Sequence, residues 1–236
     1  MTYIQGFVAA VPTANRAAYL EHANYALPLF KEFGSARMVE TWGNDVPEGK
    51  LNDFQRAVQA TADETVVFSW MEYADRAARD AGFERMMADP RMQDMPEMPF
   101  DGKRMIFGGF DPFVDAGHGR GPYVDGYLLP VPAANRDAYR DMARSAADVI
   151  LEYGALRVVE AWGDDVPAGK VTDFHRAVLL EDGEHVVFSW VEWPSKQVRD
   201  EAWKKLVKDP RMQPQGEMPF DGRRMVYGGF ETLLDD

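Results

Sequence analysis

Apolar residues recur along the chain with two spacings, which predict strands and helices in a defined order. Tyr3–Val11 is rich in β-branched and aromatic residues and ends at Pro12, as is typical of a strand. From Tyr19 to Phe33 the apolar positions lie three and four residues apart, which predicts a helix. The same reasoning predicts four more strands, Arg37–Gly43, Phe54–Ala60, Thr65–Tyr73 and Arg104–Phe110, and a second helix from about Asp75 to Ala88.

This pattern occurs twice, because the chain contains an internal duplication. Shifting the sequence by 120 positions aligns it with itself without a gap. Val66–Trp70 (VVFSW) recurs as Val186–Trp190, and Glu97–Phe110 (EMPFDGKRMIFGGF) recurs as Glu217–Phe230 (EMPFDGRRMVYGGF). A period of this length that is present only twice indicates duplicated domains, because the units of a solenoid have roughly 20–50 residues.

A short Gly-rich segment separates the two copies. Residues 116–122 (AGHGRGP) contain few apolar side chains, as is typical of a flexible linker. We therefore expect one domain over residues 1–115 and a second over residues 123–236.

The element order of each copy predicts how the two copies pack. It matches a ferredoxin-like βαββαβ unit with one extra or broken strand in the middle hairpin. Two helices cover only one face of such a sheet, and the other face still carries Trp, Phe and Val side chains. The other copy is the nearest cover for that face. We therefore predict an α+β protein in which two ferredoxin-like repeats pack sheet to sheet as a closed or nearly closed pseudo-dimeric α/β barrel.

The composition is that of an acidic globular protein. The chain has 236 residues, of which 46% are hydrophobic, and its formal net charge is −13. This charge repels phosphate backbones, so we expect no nucleic-acid partner, although RNA-recognition domains share the βαββαβ order. The chain has no cysteine, which excludes disulfides and Cys-ligated metals.

Signals for membranes, metals and cofactors are also missing from the sequence. No window approaches the roughly 20 consecutive apolar residues of a membrane helix, and no basic leader is visible, so we expect a cytoplasmic protein without a membrane partner. The four histidines lack metal-ligand spacing, and the glycines form no nucleotide-binding loop. We expect neither a metal nor a cofactor.

Several long motifs carry a resemblance to a known family. ARMVETWGNDVPEGK, DFQRAV, VVFSWMEY, ADPRMQ and EMPFDGKRMIFGGF resemble segments of the YbaA-like family of bacterial proteins, a domain of unknown function. Each half of the chain is similar to one whole family member. The resemblance implies a ferredoxin-like domain of the dimeric α/β-barrel type, and it implies no activity. The tandem duplication is a departure from the single-domain pattern of the family.

Charged residues inside apolar strands are the candidates for a functional site. Burying an isolated carboxylate or guanidinium costs several kcal/mol, so each must be paired or face a wet cavity. If the charged faces point inward, the barrel would hold an aromatic-walled pocket for a small polar-aromatic ligand, or a carboxylate that accepts a proton. The candidate ligand-binding residues are Glu40, Trp42, Arg56, Trp70 and Glu72, with their copies Glu160, Trp162, Arg176, Trp190 and Glu192.

Structural roles compete with this hypothesis. Glu40–Arg56 and similar pairs can be cross-strand ion pairs, and tryptophans in strands are usually part of a core. The loop from Glu97 to Gly102 can be a lid over the barrel mouth, or a turn whose Phe100 plugs the barrel end.

These observations lead to a restricted functional hypothesis. We expect an uncharacterised protein with a small-molecule-binding cavity between or within the two repeats and no assigned catalytic residues. The alternative is a cofactor-independent enzyme of the dimeric α/β-barrel type, oxygenase-like or isomerase-like, in which a carboxylate is the general base. Turnover of a bound ligand would distinguish the two.

Overall fold

Eight strands and six α-helices lie in the residues that the computed structural model describes, which are 2–213 and 216–236. The strands are β1 (Tyr3–Pro12), β2 (Arg37–Asp45), β3 (Glu64–Tyr73), β4 (Ile106–Gly117), β5 (Tyr123–Pro132), β6 (Arg157–Asp165), β7 (Glu184–Trp193) and β8 (Val226–Asp235). The helices are α1 (Arg16–Glu32), α2 (Phe54–Ala57), α3 (Arg76–Ala88), α4 (Arg136–Glu152), α5 (Phe174–Ala177) and α6 (Lys196–Leu206).

All eight strands join in one closed antiparallel barrel. Their order around the barrel is β1-β3-β2-β8-β5-β7-β6-β4, so each repeat supplies four neighbouring strands. Two seams connect the repeats, because β2 pairs with β8 and β4 pairs with β6. The prediction of an α+β protein built on a closed barrel is confirmed. Hydrogen bonding between the edges of the two sheets closes the barrel, in addition to the expected contact between their faces.

The last strand of each repeat is longer than the sequence pattern predicts. We expected β4 to end at Phe110, but it continues to Gly117 and pairs with β6 along this extension. The first two residues of the predicted linker therefore lie in a strand. The extension satisfies the backbone groups that an open sheet edge would leave without partners.

The predicted strand Phe54–Ala60 is wrong. The segment begins with the one-turn helix α2, which Asp53 caps by accepting a hydrogen bond from the Arg56 backbone N–H at 2.7 Å. Gln59 has a φ of 51°, which turns the chain toward β3. Phe54 is fully buried and belongs to the barrel core. The apolar residues of this segment therefore enter the barrel core without forming a strand.

Aromatic side chains fill the interior of the barrel. The rings of Phe68 and Phe188 stack with centroids 4.4 Å apart, and those of Trp70 and Trp190 are 4.5 Å apart. A Cβ at Gly6 would lie 2.8 Å from the ring of Phe188, so only glycine lets the ring approach the backbone there. The other interior aromatic residues are Phe54, Phe110, Phe174 and Phe230.

The longer helices cover the outer face of the barrel. Helix α1 buries Tyr19, Ala23 and Ala26, and α4 buries the matching Tyr139 and Ala143. In the part of the chain that the structure describes, no helix combines the length and the apolar character that crossing a membrane requires.

Replacing one ring of the central stack tests whether the two sheets stabilise each other. Phe68→Ala should lower the free energy of unfolding by about 3–5 kcal/mol, because it removes buried contacts with both repeats and leaves a cavity. Phe107→Ala is the matched control, since Phe107 is 46% exposed, and it should change stability by about 0.5 kcal/mol or less. Urea unfolding measures both variants. Equal midpoints for the two variants would contradict this account of the core.

Candidate functional site

The ten predicted site residues lie in three different places. Strand alternation points one group into the barrel and another outward beneath the helices, and the third group is at an exposed end. The inward residues are Trp70, Glu72, Trp190 and Glu192; the outward residues are Glu40, Trp42, Glu160 and Trp162; the exposed residues are Arg56 and Arg176. The single pocket that the sequence suggested is therefore not formed.

Inside the barrel, two arginines bind carboxylates across the repeats. Arg37 of the first repeat binds Glu192 through two hydrogen bonds of 2.9 and 2.8 Å, and it binds Asp235 through two of 2.8 Å. Both carboxylates belong to the second repeat. The guanidinium also lies 5.6 Å from the ring centroid of Trp70, within the range of a cation–π contact.

Arg157 repeats this arrangement in the opposite direction. Its hydrogen bonds to Glu72 are 2.7 and 3.1 Å, and those to Asp115 are 2.8 and 2.9 Å. Burial would raise the pKa of Glu72, but the guanidiniums of Arg157 and Arg37 outweigh this and hold the pKa below its usual value. We call the six residues Arg37, Glu72, Asp115, Arg157, Glu192 and Asp235 the barrel-end cluster.

The barrel-end cluster is a structural feature of the two-repeat barrel. Each buried guanidinium pairs with three carboxylates, and the aromatic core fills the space next to them. Glu72 and Glu192 therefore form ion pairs, in line with the alternative interpretation that the charged strand residues have structural roles. Bidentate pairs of this kind give both affinity and orientation, so they fix how one repeat sits on the other.

Arg56 and Arg176 lie far from any such network. The Arg56 side chain is 53% exposed on α2 and pairs with its own cap residue, Asp53, at 2.8 Å. The predicted Glu40–Arg56 ion pair is wrong, because residues 54–57 form a helix and not a strand opposite β2.

Glu40 lies on the outer face of β2, beneath α1. Its carboxylate accepts short hydrogen bonds from the Tyr19 hydroxyl of α1 and the Ser69 hydroxyl of β3. Burial raises the pKa of Glu40, although both hydroxyls oppose the shift. We call Glu40, Tyr19 and Ser69 the first acid site.

The second repeat contains the same arrangement. Tyr139 donates a hydrogen bond of 2.7 Å to Glu160, and Ser189 lies opposite Glu160 in the β6–β7 ladder and also hydrogen-bonds to it. Burial raises the pKa of Glu160 to about 7, against the opposing effect of these two hydroxyls. Glu160, Tyr139 and Ser189 form the second acid site.

The second acid site can hold and exchange a proton at neutral pH. A carboxyl with a pKa near 7 is present in both protonation states at neutral pH, which suits a general acid or base. Burial and the neighbouring carboxylate raise the pKa of Tyr139 well above its usual value, so its hydroxyl stays protonated and donates to Glu160. The proton-exchanging group of this site is therefore the glutamate.

Two side chains cover each acid site, a phenylalanine of the same repeat and one residue of the opposite repeat. The residue of the opposite repeat is Leu233 at the first site and Phe113 at the second. The ring of Phe100 lies 5.8 Å from that of Tyr19, and Phe220 lies 5.6 Å from Tyr139. Phe100 was expected to plug the barrel end or to act as a lid. It lies outside the barrel, over the first acid site, so its position excludes the barrel-end plug.

The sequence suggested the two glutamates and missed most of their partners. Tyr19 and Tyr139 occupy the same position of a helix in both copies, and a hydroxyl on an otherwise apolar stripe was the available signal. Ser69 and Ser189 lie in the middle of VVFSW, where a buried hydroxyl needs a hydrogen-bond partner. Within residues 2–213 and 216–236, no three His, Asp or Glu side chains are arranged to hold a metal ion.

Comparison with known protein families assigns the chain to one family. The model of a family described as "Protein of unknown function (DUF1428)" matches residues 2–102 and again residues 122–222. The chain belongs to this family, and it contains the family domain twice. The uncharacterized protein YbaA of Escherichia coli K12 is 60% identical over 115 residues, which are 48% of this chain and 98% of YbaA. YbaA of Shigella flexneri matches to the same extent.

Solved structures share the fold at low sequence identity. A "putative monooxygenase" from Fusobacterium nucleatum has a TM-score of 0.59 at 10% identity, covering 100% of this chain and 94% of that one. An anthrone oxidase-like protein has a TM-score of 0.57 at 11% identity, with 100% and 92% covered. A "putative monooxygenase" from Lactobacillus acidophilus has a TM-score of 0.55 at 12% identity, with 100% and 96% covered. At such identities the likeness shows the fold alone.

Removing one carboxylate of the barrel-end cluster should destabilise the protein. Glu192→Ala leaves the buried Arg37 with one partner fewer, and we expect a loss of about 3 kcal/mol in the free energy of unfolding. Arg56→Ala removes an exposed arginine and should change stability by about 0.5 kcal/mol or less. Chemical denaturation compares the variants. A Glu192→Ala protein as stable as Arg56→Ala would show that the ion pairs do not hold the repeats together.

The raised pKa of Glu160 predicts a pH dependence of stability. An unfolded glutamate titrates near 4.3, so ionisation is harder in the folded protein, and stability should fall as the pH rises from about 4.3 through 7. Glu160→Gln should remove part of this fall, on the order of 1–3 kcal/mol between pH 5 and 8. The exposed Glu21→Gln is the control and should leave the pH profile unchanged. Identical profiles for Glu160→Gln and the unmodified protein would contradict the assignment.

Proposed function

We propose that the protein is a cofactor-independent enzyme whose two acid sites remove a proton from a small aromatic substrate. The observation that carries this proposal is the carboxyl of Glu160, whose pKa of about 7 suits proton transfer at neutral pH. The first acid site repeats the same three residue types at Glu40. Each glutamate is buried without a cation and receives hydrogen bonds from a tyrosine of the helix and a serine of the next strand. Perturbed carboxyl groups of this kind are typical of functional sites.

The surroundings of the acid sites suit a flat apolar ligand. Trp42 and Phe100 lie against Tyr19 in the first site, and Trp162 and Phe220 occupy the same places in the second repeat. Aromatic walls with a few placed polar groups are the usual lining of small-molecule sites. Displacement of Phe100 or Phe220 would open the space in front of the tyrosine hydroxyl, so we assign these residues the role of covers.

The fold relatives support an oxygenation reaction as the specific chemistry. Two of them are titled "putative monooxygenase" and one "anthrone oxidase-like protein", and their likeness to this chain extends over its whole length. We also infer that each repeat is ferredoxin-like, in accord with its strand order β4-β1-β3-β2. This likeness in fold favours oxygenation over other reactions that begin with removal of a proton.

The proposed reaction uses dioxygen as the co-reactant. The glutamate takes a proton from an activated CH2 group, and the resulting carbanion reduces dioxygen and forms a C–O bond to it. The glutamate returns its proton to the peroxide, which then loses water to leave a ketone. One substrate and one O2 give one ketone and one water, so atoms and electrons balance without a cofactor. The tyrosine donates its hydrogen bond to the carboxylate and orients it.

Ligand binding without turnover is the second candidate function. The burial of Glu40 favours it, because this residue is only 8% exposed and two hydroxyls already satisfy one oxygen of its carboxylate. Saturable binding without a product would support this alternative.

Oxygen consumption with anthrone as the probe substrate tests the enzymatic proposal. The rate should rise with pH through about 7, because the glutamate must be ionised to accept the proton. The Glu40→Gln/Glu160→Gln double variant should lose about 10²–10⁴-fold in kcat, since the amide cannot act as the base. Glu21→Gln is the matched control and should keep full activity. A double variant that consumes oxygen at the unmodified rate would exclude the acid sites as the source of catalysis.

A further inference from the structure

A groove on the outer surface lies between β4 of the first repeat and α4 of the second. It has a volume of about 430 Å³, which is enough for a single-ring ligand. The lining residues are Phe113, Val114, Asp115, Ala116, Arg144 and Asp148. The groove therefore exists only where the two repeats meet.

Phe113 separates this groove from the second acid site. The register of β4 and β6 shifts between Pro112 and Val114, so Phe113 is the extra residue of a β-bulge. Its ring lies 5.9 Å from that of Tyr139 and 6.1 Å from that of Trp162. The next residue of the strand, Val114, pairs with Glu160 in the ladder. A ligand in the groove is thus one side chain away from the Glu160–Tyr139 pair.

Arg144 provides a free positive charge on the wall of the groove. Within the described part of the chain, its guanidinium makes no hydrogen bond, ion pair or ring contact, whereas every other arginine has at least one such partner. An unpaired guanidinium is unusual in a chain with a net charge of −13, because acidic residues outnumber basic ones in it. It offers planar donors that match a carboxylate.

The two acidic residues of the groove differ in how much they oppose an anion. Asp115 is bound by Arg157 through two hydrogen bonds of 2.8 and 2.9 Å, so its charge is compensated. Asp148 is exposed and has no hydrogen-bond or ion-pair partner among the described residues. It lies four residues after Arg144, so its negative charge opposes an anion in the groove.

The first repeat lacks the residues that give the groove its chemistry. Asn24 stands at the position of Arg144, Pro28 at that of Asp148 and Leu233 at that of Phe113. The side chain of Asn24 is occupied by a hydrogen bond of 2.8 Å to the backbone of Leu20. The duplicated sites have therefore diverged, and only the second one has a charged entrance.

We propose that this groove binds the carboxylate end of an aromatic acid, whose ring passes Phe113 toward Glu160. Arg144 lies five residues after Tyr139 on α4, a rise of about 7.5 Å along the helix axis, and it is exposed where Tyr139 is buried. The inference rests on the proposed function for the role of Glu160 as the reacting group. The choice of an anionic aromatic ligand rests on the groove alone.

Binding of a charged and an uncharged probe of the same shape tests the proposal. We choose 4-hydroxybenzoate and 4-hydroxybenzamide and measure binding to the full-length protein by calorimetry. The unmodified protein should bind the benzoate about tenfold more tightly than the amide, because only the benzoate forms the charge-assisted pair with Arg144. Arg144→Asn introduces the residue of the first repeat, and it should abolish this preference while amide binding stays unchanged.

Two further variants should change probe affinity in opposite directions. Asp148→Asn should strengthen benzoate binding several-fold, because it removes a nearby negative charge. Phe113→Leu, again the residue of the first repeat, should weaken both probes equally. Arg140→Asn is the matched control, since this half-buried arginine of α4 is paired with Asp137 and does not line the groove. It should change neither affinity.

The outcomes separate this inference from the proposed function. Equal affinity for the two probes, an unchanged preference in Arg144→Asn, or no binding of either probe at millimolar concentration would overturn the groove as an anion subsite. None of these results depends on turnover. Conversely, if the Glu40→Gln/Glu160→Gln protein keeps its activity while the benzoate preference persists, the catalytic proposal fails and the subsite stands.

Discussion

Mutual burial of the two inner sheet faces is the constraint on which the rest of the structure depends. Each repeat has aromatic side chains on a face that its own helices leave open, and the only protein available to cover it is the other repeat. Stacking of Phe68 on Phe188 and the crossed ion pairs of Arg37 and Arg157 fix that contact. The closed barrel follows, because the long last strands then lie beside the open edge of the opposite repeat.

Filling the barrel determines where chemistry can take place. The interior carboxylates Glu72 and Glu192 are bound by arginines and surrounded by rings, so they have no freedom to act on a ligand. Glu40 and Glu160 lie on the other side of the same strands, where they meet hydroxyls and no cation. Glutamates in neighbouring positions therefore have opposite electrostatic environments: Glu72 and Glu192 are bound by arginines, whereas Glu40 and Glu160 have raised pKa values.

The duplication has consequences beyond the doubling of a site. In a tandem chain the two copies can change independently, and here the surroundings of the acid sites differ while their three central residues do not. Phe113 and Arg144 line the groove, and Leu233 and Asn24 stand at the equivalent positions of the other copy. The last strand of each repeat places a side chain beside the acid site of the opposite repeat: Phe113 lies next to Tyr139, and Leu233 packs against the cluster that contains Tyr19.

Periodicity and self-alignment were enough to predict the duplicated α+β architecture, most strand positions and the burial of one sheet face against the other, because these depend on local side-chain spacing. They also identified Glu40 and Glu160 as unusual.

Alternation separates the two faces of a strand but does not say which one points inward, so the sequence put Glu40 and Glu72 in one pocket when they lie on opposite sides. It missed α2, where the cap at Asp53 and the turn at Gln59 outweigh a short apolar run. Pairing of Arg37 with Glu192, and the bulge that aims Phe113 at Tyr139, arise from barrel closure between segments far apart in the chain. Local spacing contains no information about such contacts.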